Sequence, residues 1–149
     1  MKKLSSVFYM YFGAVTGLIA VLLMNAPFLT ADGTTKRATN LFWNSGANSI
    51  HGFWPAFMGF MFILAAAIAL IVLGLPVIQP SAKIEKIVLI SIISALVVGT
   101  ILIAIAPGVY ASLNPIEIST TTLQPGYFIF LVFALLTIAA SVVALVKDW

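Results

Sequence analysis

Charged residues are scarce in this chain of 149 residues. Only 7% of the residues are Asp, Glu, Lys or Arg, whereas 62% are hydrophobic. A soluble globular domain carries roughly 25% charged residues, because its surface has to be solvated by water. The composition therefore predicts a protein embedded in a lipid bilayer, and the length limits it to one domain with a few membrane spans.

Cysteine is absent and histidine occurs once. The chain therefore has no disulfide framework, no thiolate metal site and no thiol nucleophile. Metal and haem centres use several His, Cys or carboxylate ligands, so we expect neither a cofactor nor a bound metal. The seven Lys and Arg residues are scattered singly or in pairs, whereas a nucleic-acid interface needs them clustered on one face. We expect no nucleic acid among the partners.

Four long charge-free runs separate the charged residues, at 4–31, 38–82, 87–116 and 118–146. A helix of about 20 apolar residues crosses the hydrocarbon of a bilayer. Each run contains such a stretch, without the strict alternation of a barrel strand. We predict an all-α fold, an integral membrane four-helix bundle with up-down-up-down order and a single transmembrane domain over 1–149. We expect its helices at about 7–28, 53–78, 87–112 and 127–146, and its outer loops at about 29–52 and 113–126.

The first apolar stretch and its flanks raise the question of a signal peptide. Lys2 and Lys3 precede it, as basic residues precede a signal sequence. The stretch is longer than the roughly 7–15 apolar residues of a signal peptide, and it lacks a small-x-small cleavage site. We expect the first helix to be retained.

At the starts of the second and fourth stretches, Pro55 and Pro125 are suited to the first turn of a helix.

Lysine and arginine are distributed unequally between the two sides of the predicted bundle. Five lysines flank the two termini and the middle connection, whereas the first outer loop holds only Lys36 and Arg37. Cations close to the ends of membrane spans are retained in the cytoplasm. We therefore expect a multi-pass protein of the cell membrane with both termini cytoplasmic.

The predicted spans hold no Asp, Glu, Lys, Arg or His. Ionisable residues inside a membrane mark proton relays, ion pathways and substrate sites. General acid–base catalysis also needs titratable groups within hydrogen-bond reach of one another. We therefore predict that the protein is not an enzyme. An enzymatic alternative would use His51, Asp32 or Glu117 at the outer membrane face.

Small residues recur at intervals of four in the predicted helices. Gly13 and Gly17 form a GxxxG motif in the first helix, and Ser91, Ala95 and Gly99 have the same spacing in the third. Small residues four apart let a second helix approach closely and gain van der Waals contact that lipid does not supply. We predict that these residues pack helices, either inside the bundle or against another subunit.

A second set of candidate residues belongs to the predicted outer side, namely Asn25, Phe42, Trp43, His51 and Trp54. An amide near the end of a membrane helix bonds across helices or to backbone groups that a proline has freed. Tryptophan anchors chains at membrane interfaces and is frequent in binding hot spots. These residues predict an outer interaction surface or, around Asn25 and the carbonyls near Pro27 and Pro107, a polar vestibule.

These patterns favour one class of function over another. We expect a non-catalytic membrane protein, a structural or accessory subunit, that acts through its helices and outer loops. Its partners would be the lipid bilayer and other membrane-protein subunits or a second copy of itself. The alternative is a small oligomeric channel or facilitator with an uncharged pore, since pores lined by carbonyl groups exist.

Overall fold

A computed structural model describes residues 4–31, 34–42, 52–113 and 122–147. Four α-helices make up most of this part of the chain, namely α1 Leu4–Leu23, α2 Pro55–Gly74, α3 Ala82–Leu113 and α4 Pro125–Lys147. All four are long and apolar enough to cross a membrane. The chain is therefore a multi-pass membrane protein with an all-α fold, and the predicted four-helix bundle is confirmed.

The four helices run alternately up and down and close a ring of contacts. α1 packs against α2 and α4, and α3 packs against the same two helices. Fully buried side chains from all four helices fill the centre, including Met10, Ile63, Leu89 and Phe130. Because lipid tails are as apolar as leucine, close packing and bonds between helices hold such a bundle together. The end that carries the connection 75–81 is the turn end, and the opposite end is the sheet end.

α1 ends earlier than the sequence predicts. The expected helix reached residue 28, whereas α1 stops at Leu23 and strand β1 covers Pro27–Ala31. Pro27 has no backbone N–H and disfavours a helical conformation in the residue before it, so it favours extended chain at this point. Asn25 consequently lies in the turn after α1, with an exposed side chain.

The bounds of the other helices also differ from the expected ones. α2 ends at Gly74 because Leu75 precedes Pro76 and is extended, with φ −65° and ψ 135°. α3 begins at Ala82, five residues before the expected start, where the Ser81 side chain accepts a backbone N–H of the first turn. α2 and α4 begin at the two prolines that the sequence suggests as helix starters.

A three-stranded antiparallel sheet covers the sheet end, where the sequence predicts loops and the last two residues of the first helix. β1 lies between β2 Thr34–Arg37 and β3 Thr122–Leu123, and a 3₁₀ helix, Ala38–Leu41, follows β2. The strands are five, four and two residues long. β3 is too short to show the alternation of apolar and polar residues that identifies a strand, and neither PFLTA in β1 nor TTKR in β2 alternates in this way.

β1 is fixed to the start of α4. The backbone N–H of Gln124 donates to the carbonyl of Phe28 at 2.8 Å, and the Gln124 side-chain amide donates to the Thr30 hydroxyl. Phe28 is fully buried, and its ring lies 5.7 Å from that of Tyr127 and 5.6 Å from that of Phe130. The sheet is therefore packed into the bundle through β1.

Candidate functional site

Hydroxyl groups form a polar seam between α1 and α4. The Thr16 and Thr137 hydroxyls lie 2.8 Å apart across the two helices. Nearer the turn end, the buried Ser6 hydroxyl donates to the Ala144 carbonyl at 3.1 Å. Hydrogen bonds between membrane helices contribute about 0.6 kcal/mol each on average. This seam therefore stabilises the α1–α4 pair and offers no titratable group.

The Thr100 hydroxyl, unlike the hydroxyls of the seam, is buried without a hydrogen-bond partner among the described residues. A buried hydroxyl without a partner costs about 1–3 kcal/mol, so Thr100→Val is expected to raise the free energy of unfolding by about 1 kcal/mol. Thr137→Val removes the bond to Thr16 and is expected to lower it by about 0.6 kcal/mol. Unfolding by sodium dodecyl sulfate in mixed micelles measures the free energy of unfolding of both variants. A loss of stability in Thr100→Val as well as in Thr137→Val would contradict the prediction.

Acidic residues do not assemble into a site within the described part of the chain. No group of three or more His, Cys, Asp or Glu side chains comes together there. The three residues of the predicted enzymatic alternative, Asp32, His51 and Glu117, lie outside the described residues.

Because α3 begins earlier than expected, its first turns include Lys83, Glu85 and Lys86, and Glu85 is buried. A carboxylate in the first turn of a helix is stabilised by the helix dipole.

Gly13 and Gly17 both lie inside the bundle. A Cβ atom at Gly13 would lie 3.2 Å from Leu70 and 3.3 Å from Ala140, and one at Gly17 would lie 3.2 Å from Ala67. α2 and α4 of the same chain therefore occupy the face of the GxxxG motif. This face is therefore not open to another subunit.

The predicted small residues of α3 lie in different environments. Gly99 is buried against Gly59 of α2, and a Cβ atom on either glycine would lie 2.8 Å from the carbonyl oxygen of the other. Ala95 is half-buried, while Ser91 is exposed and donates to the Ile87 carbonyl of its own helix at 2.9 Å. Of these three positions, Gly99 makes the close helix contact. Its partner Gly59 gave no signal in the sequence, because α2 has no second small residue four positions away.

The candidate residues of the sheet end do not share one environment. Phe42 is buried, and its ring packs against those of Phe57 and Phe60 with centroids 6.0 and 5.9 Å apart. Trp54 immediately precedes α2 and has 61% of its surface exposed, and Asn25 is exposed as well. Two further candidates lie outside the described residues, Trp43 and His51. Phe42 therefore packs within the bundle, and Trp54 and Asn25 are the described candidates with exposed side chains.

Tyr127 bonds to a carbonyl of α3 close to Pro107, a region in which the vestibule hypothesis expects polar backbone groups. Pro107 lies inside α3 and removes one N–H from its hydrogen-bond ladder. In the turn before it, the Ala104 carbonyl accepts a 2.8 Å hydrogen bond from the Tyr127 hydroxyl of α4. This α3 carbonyl is therefore bonded by a tyrosine of the neighbouring helix, while Asn25 is exposed after the end of α1.

An open groove of about 600 Å³ lies beside Pro107. We call it the sheet-end groove; its lining includes Ala104, Pro107, Gly108, Ser112, Leu123 and Tyr127. Ala104, Gly108 and Ser112 are small residues four positions apart on α3. A Cβ atom at Gly108 would meet no atom of the described chain within 4 Å. Unlike the GxxxG face of α1, this row of small residues is not covered by any of the residues that the structure describes.

The sequence contained a signal for this surface that our prediction missed. The spacing of Ala104, Gly108 and Ser112 equals that of the predicted positions Ser91, Ala95 and Gly99. Both rows lie on the same helix, and spacing alone does not tell which one faces a neighbour. Leu123 and Tyr127, which form the other wall of the groove, approach it only through the folding of β3 and α4.

Comparisons of this chain with protein-family models, with curated proteins and with solved structures find no match. No family site and no partner of a relative can therefore be transferred to it. The sheet-end groove, with its open row of small residues, is the feature from which a function can be inferred.

Proposed function

We propose that the chain is a non-catalytic membrane subunit whose sheet-end groove receives a transmembrane helix of a partner. The observation that carries this proposal is the row Ala104, Gly108 and Ser112 in the groove, where no described residue lies within 4 Å of a Cβ atom placed on Gly108. Lipid tails are as apolar as the side chains of membrane helices, so no hydrophobic force drives these helices together. Their association therefore depends on close approach of the backbones. An open row of small residues is the surface that permits such an approach.

The walls of the groove support a helix as the occupant. Ile105 and Leu123 are each 44% exposed, and they offer apolar contact on both sides of the row of small residues. Ser112 provides a hydroxyl that can bond to a backbone carbonyl of the partner, as hydroxyls do between membrane helices. The partner is either a second copy of this chain or another membrane-protein subunit, and the experiment below distinguishes them.

We further infer that the turn end lies in the cytoplasm and the sheet on the opposite side of the cell membrane. Lys83, Lys86 and Lys147 belong to the turn end, whereas Lys36 and Arg37 belong to the sheet. The larger number of cations favours the cytoplasmic side. The partner helix would then contact the groove in the outer half of the bilayer.

Native mass spectrometry of the protein in lipid nanodiscs tests this proposal. The wild-type chain is expected in a complex heavier than its own 15.9 kDa. Gly108→Phe places a ring in the groove from a position where the added Cβ atom meets no described atom within 4 Å. We expect it to weaken the complex about tenfold, as the loss of roughly 1.4 kcal/mol of packing would. A mass increment of a whole chain identifies self-association, and any other protein mass identifies a different subunit.

Ala139→Phe is the matched control, because Ala139 is exposed on α4 and does not line the groove. We expect this variant to keep the wild-type complex. Single chains in every sample, or equal complexes in both phenylalanine variants, would contradict the proposal.

A further inference from the structure

A second groove, of about 530 Å³, lies between α2 and α3 near the turn end. We call it the turn-end groove; its lining includes Ala65, Ala69, Val72, Ile78, Ile84 and Val88. All of its lining residues are apolar, and Ile78 and Pro80 come from the connection between the two helices. The groove therefore runs from this connection toward the middle of the bundle.

The length of the turn-end groove corresponds to one leaflet of a bilayer. Ala65 lies nine residues before Gly74, the last residue of α2, which is about 13 Å along the helix axis. Half of the hydrocarbon core is about 15 Å thick, whereas a spanning helix has to cross all of it. A helix that continued past the groove would also meet the connection 75–81. An acyl chain, which extends through one leaflet only, fits this length.

A cation precedes one of the lining residues of the turn-end groove in the chain. Lys83 immediately precedes Ile84, which lines the groove, and its side chain is exposed in the first turn of α3. The backbone N–H groups of this first turn add a partial positive charge. Glu85 is buried, whereas Lys83 is exposed at the surface. The positive charge in this first turn of α3 therefore complements a phosphate group at the turn end.

We propose that the turn-end groove binds one acyl chain of an anionic phospholipid, whose phosphate contacts Lys83. The apolar lining, the length of one leaflet and the adjacent cation together match an anionic phospholipid better than a protein helix. Basic residues beside apolar clefts between membrane helices are a known means of binding anionic lipid headgroups. This site is independent of the sheet-end groove and of the function proposed for it.

Lipid retention measured by native mass spectrometry tests the charge requirement. The protein is equilibrated in detergent with equal amounts of phosphatidylglycerol and phosphatidylcholine, and the lipids retained by each chain are counted. We expect wild type to retain one phosphatidylglycerol in preference, and Lys83→Gln to lower this preference about fivefold, as the loss of one interfacial cation does. Lys147→Gln, an equal charge change on the exposed end of α4, is expected to leave the preference unchanged.

A groove-filling variant tests the apolar part of the site. Ala65 is exposed, so Ala65→Phe is expected to fold and to reduce retention of both lipids, whereas Ala139→Phe on α4 retains them. Equal lipid preference in Lys83→Gln and Lys147→Gln would overturn the proposal. Undiminished retention in Ala65→Phe would overturn it as well. A change in the number of protein chains instead of bound lipids would show a protein occupant and would also refute it.

Discussion

Gly126→Ala is expected to lower the free energy of unfolding by about 3 kcal/mol, at the upper end of the cost of overpacking. Gly126 is buried in the first turn of α4, and a Cβ atom there would lie 2.3 Å from the backbone carbonyl oxygen of Pro27. That oxygen belongs to β1 and cannot move away as the tip of a flexible side chain can. The substitution therefore has to displace the sheet from the bundle.

Gly108→Ala is the matched control for this prediction, because its added methyl group meets nothing within 4 Å in the described chain. The higher helix propensity of alanine is expected to raise the free energy of unfolding by up to about 1 kcal/mol. Unfolding by sodium dodecyl sulfate, followed by circular dichroism in mixed micelles, measures both variants. Equal stability of Gly126→Ala and Gly108→Ala would show that β1 is not seated on α4.

Gly59→Ala and Gly99→Ala are each expected to cost about 2 kcal/mol, because both add a methyl group where two helix backbones meet. Each new Cβ atom would lie 2.8 Å from the carbonyl oxygen of the opposite glycine. One outward shift of α2 from α3 relieves both clashes, so the double variant is expected to cost less than the sum of the single variants.

Gly13→Ala provides the comparison for the Gly59–Gly99 contact. Its added methyl group would lie 3.2–3.3 Å from the side chains of Leu70 and Ala140, which can adjust at a cost of about 1 kcal/mol or less. The same unfolding assay ranks these variants. A greater loss of stability in Gly13→Ala than in Gly59→Ala, or strictly additive costs in the double variant, would contradict the close approach of α2 and α3.

The membrane bundle was predictable because hydropathy and charge act over whole segments. Runs of about 20 apolar residues identify spans whatever their neighbours are. The ends of the helices depend on single residues, and Pro27 and Pro76 moved two of them inward from the expected positions. The sheet depends on pairing between segments far apart in the chain, such as Leu29 with Leu123, and such pairing leaves little trace in strands this short.

The candidate site was harder to predict than the fold. Spacing identifies small residues, but it does not tell which row a neighbouring helix covers. Gly13 and Gly17 form the most conspicuous motif, yet the bundle itself occupies that face. Gly108 carries the same signal and is not covered by any described residue, a difference that depends on how α3, α4 and the sheet pack around Pro107.

Site-specific crosslinking in native membranes is the most direct test of partner docking at the sheet-end groove. The chain has no cysteine, so Gly108→Cys introduces a single thiol, to which benzophenone maleimide attaches a photoreactive group. We predict a crosslinked protein product from Gly108→Cys and none from Ala139→Cys on the exposed face of α4. Single chains from both variants, or the same product from both, would contradict partner docking at the sheet-end groove.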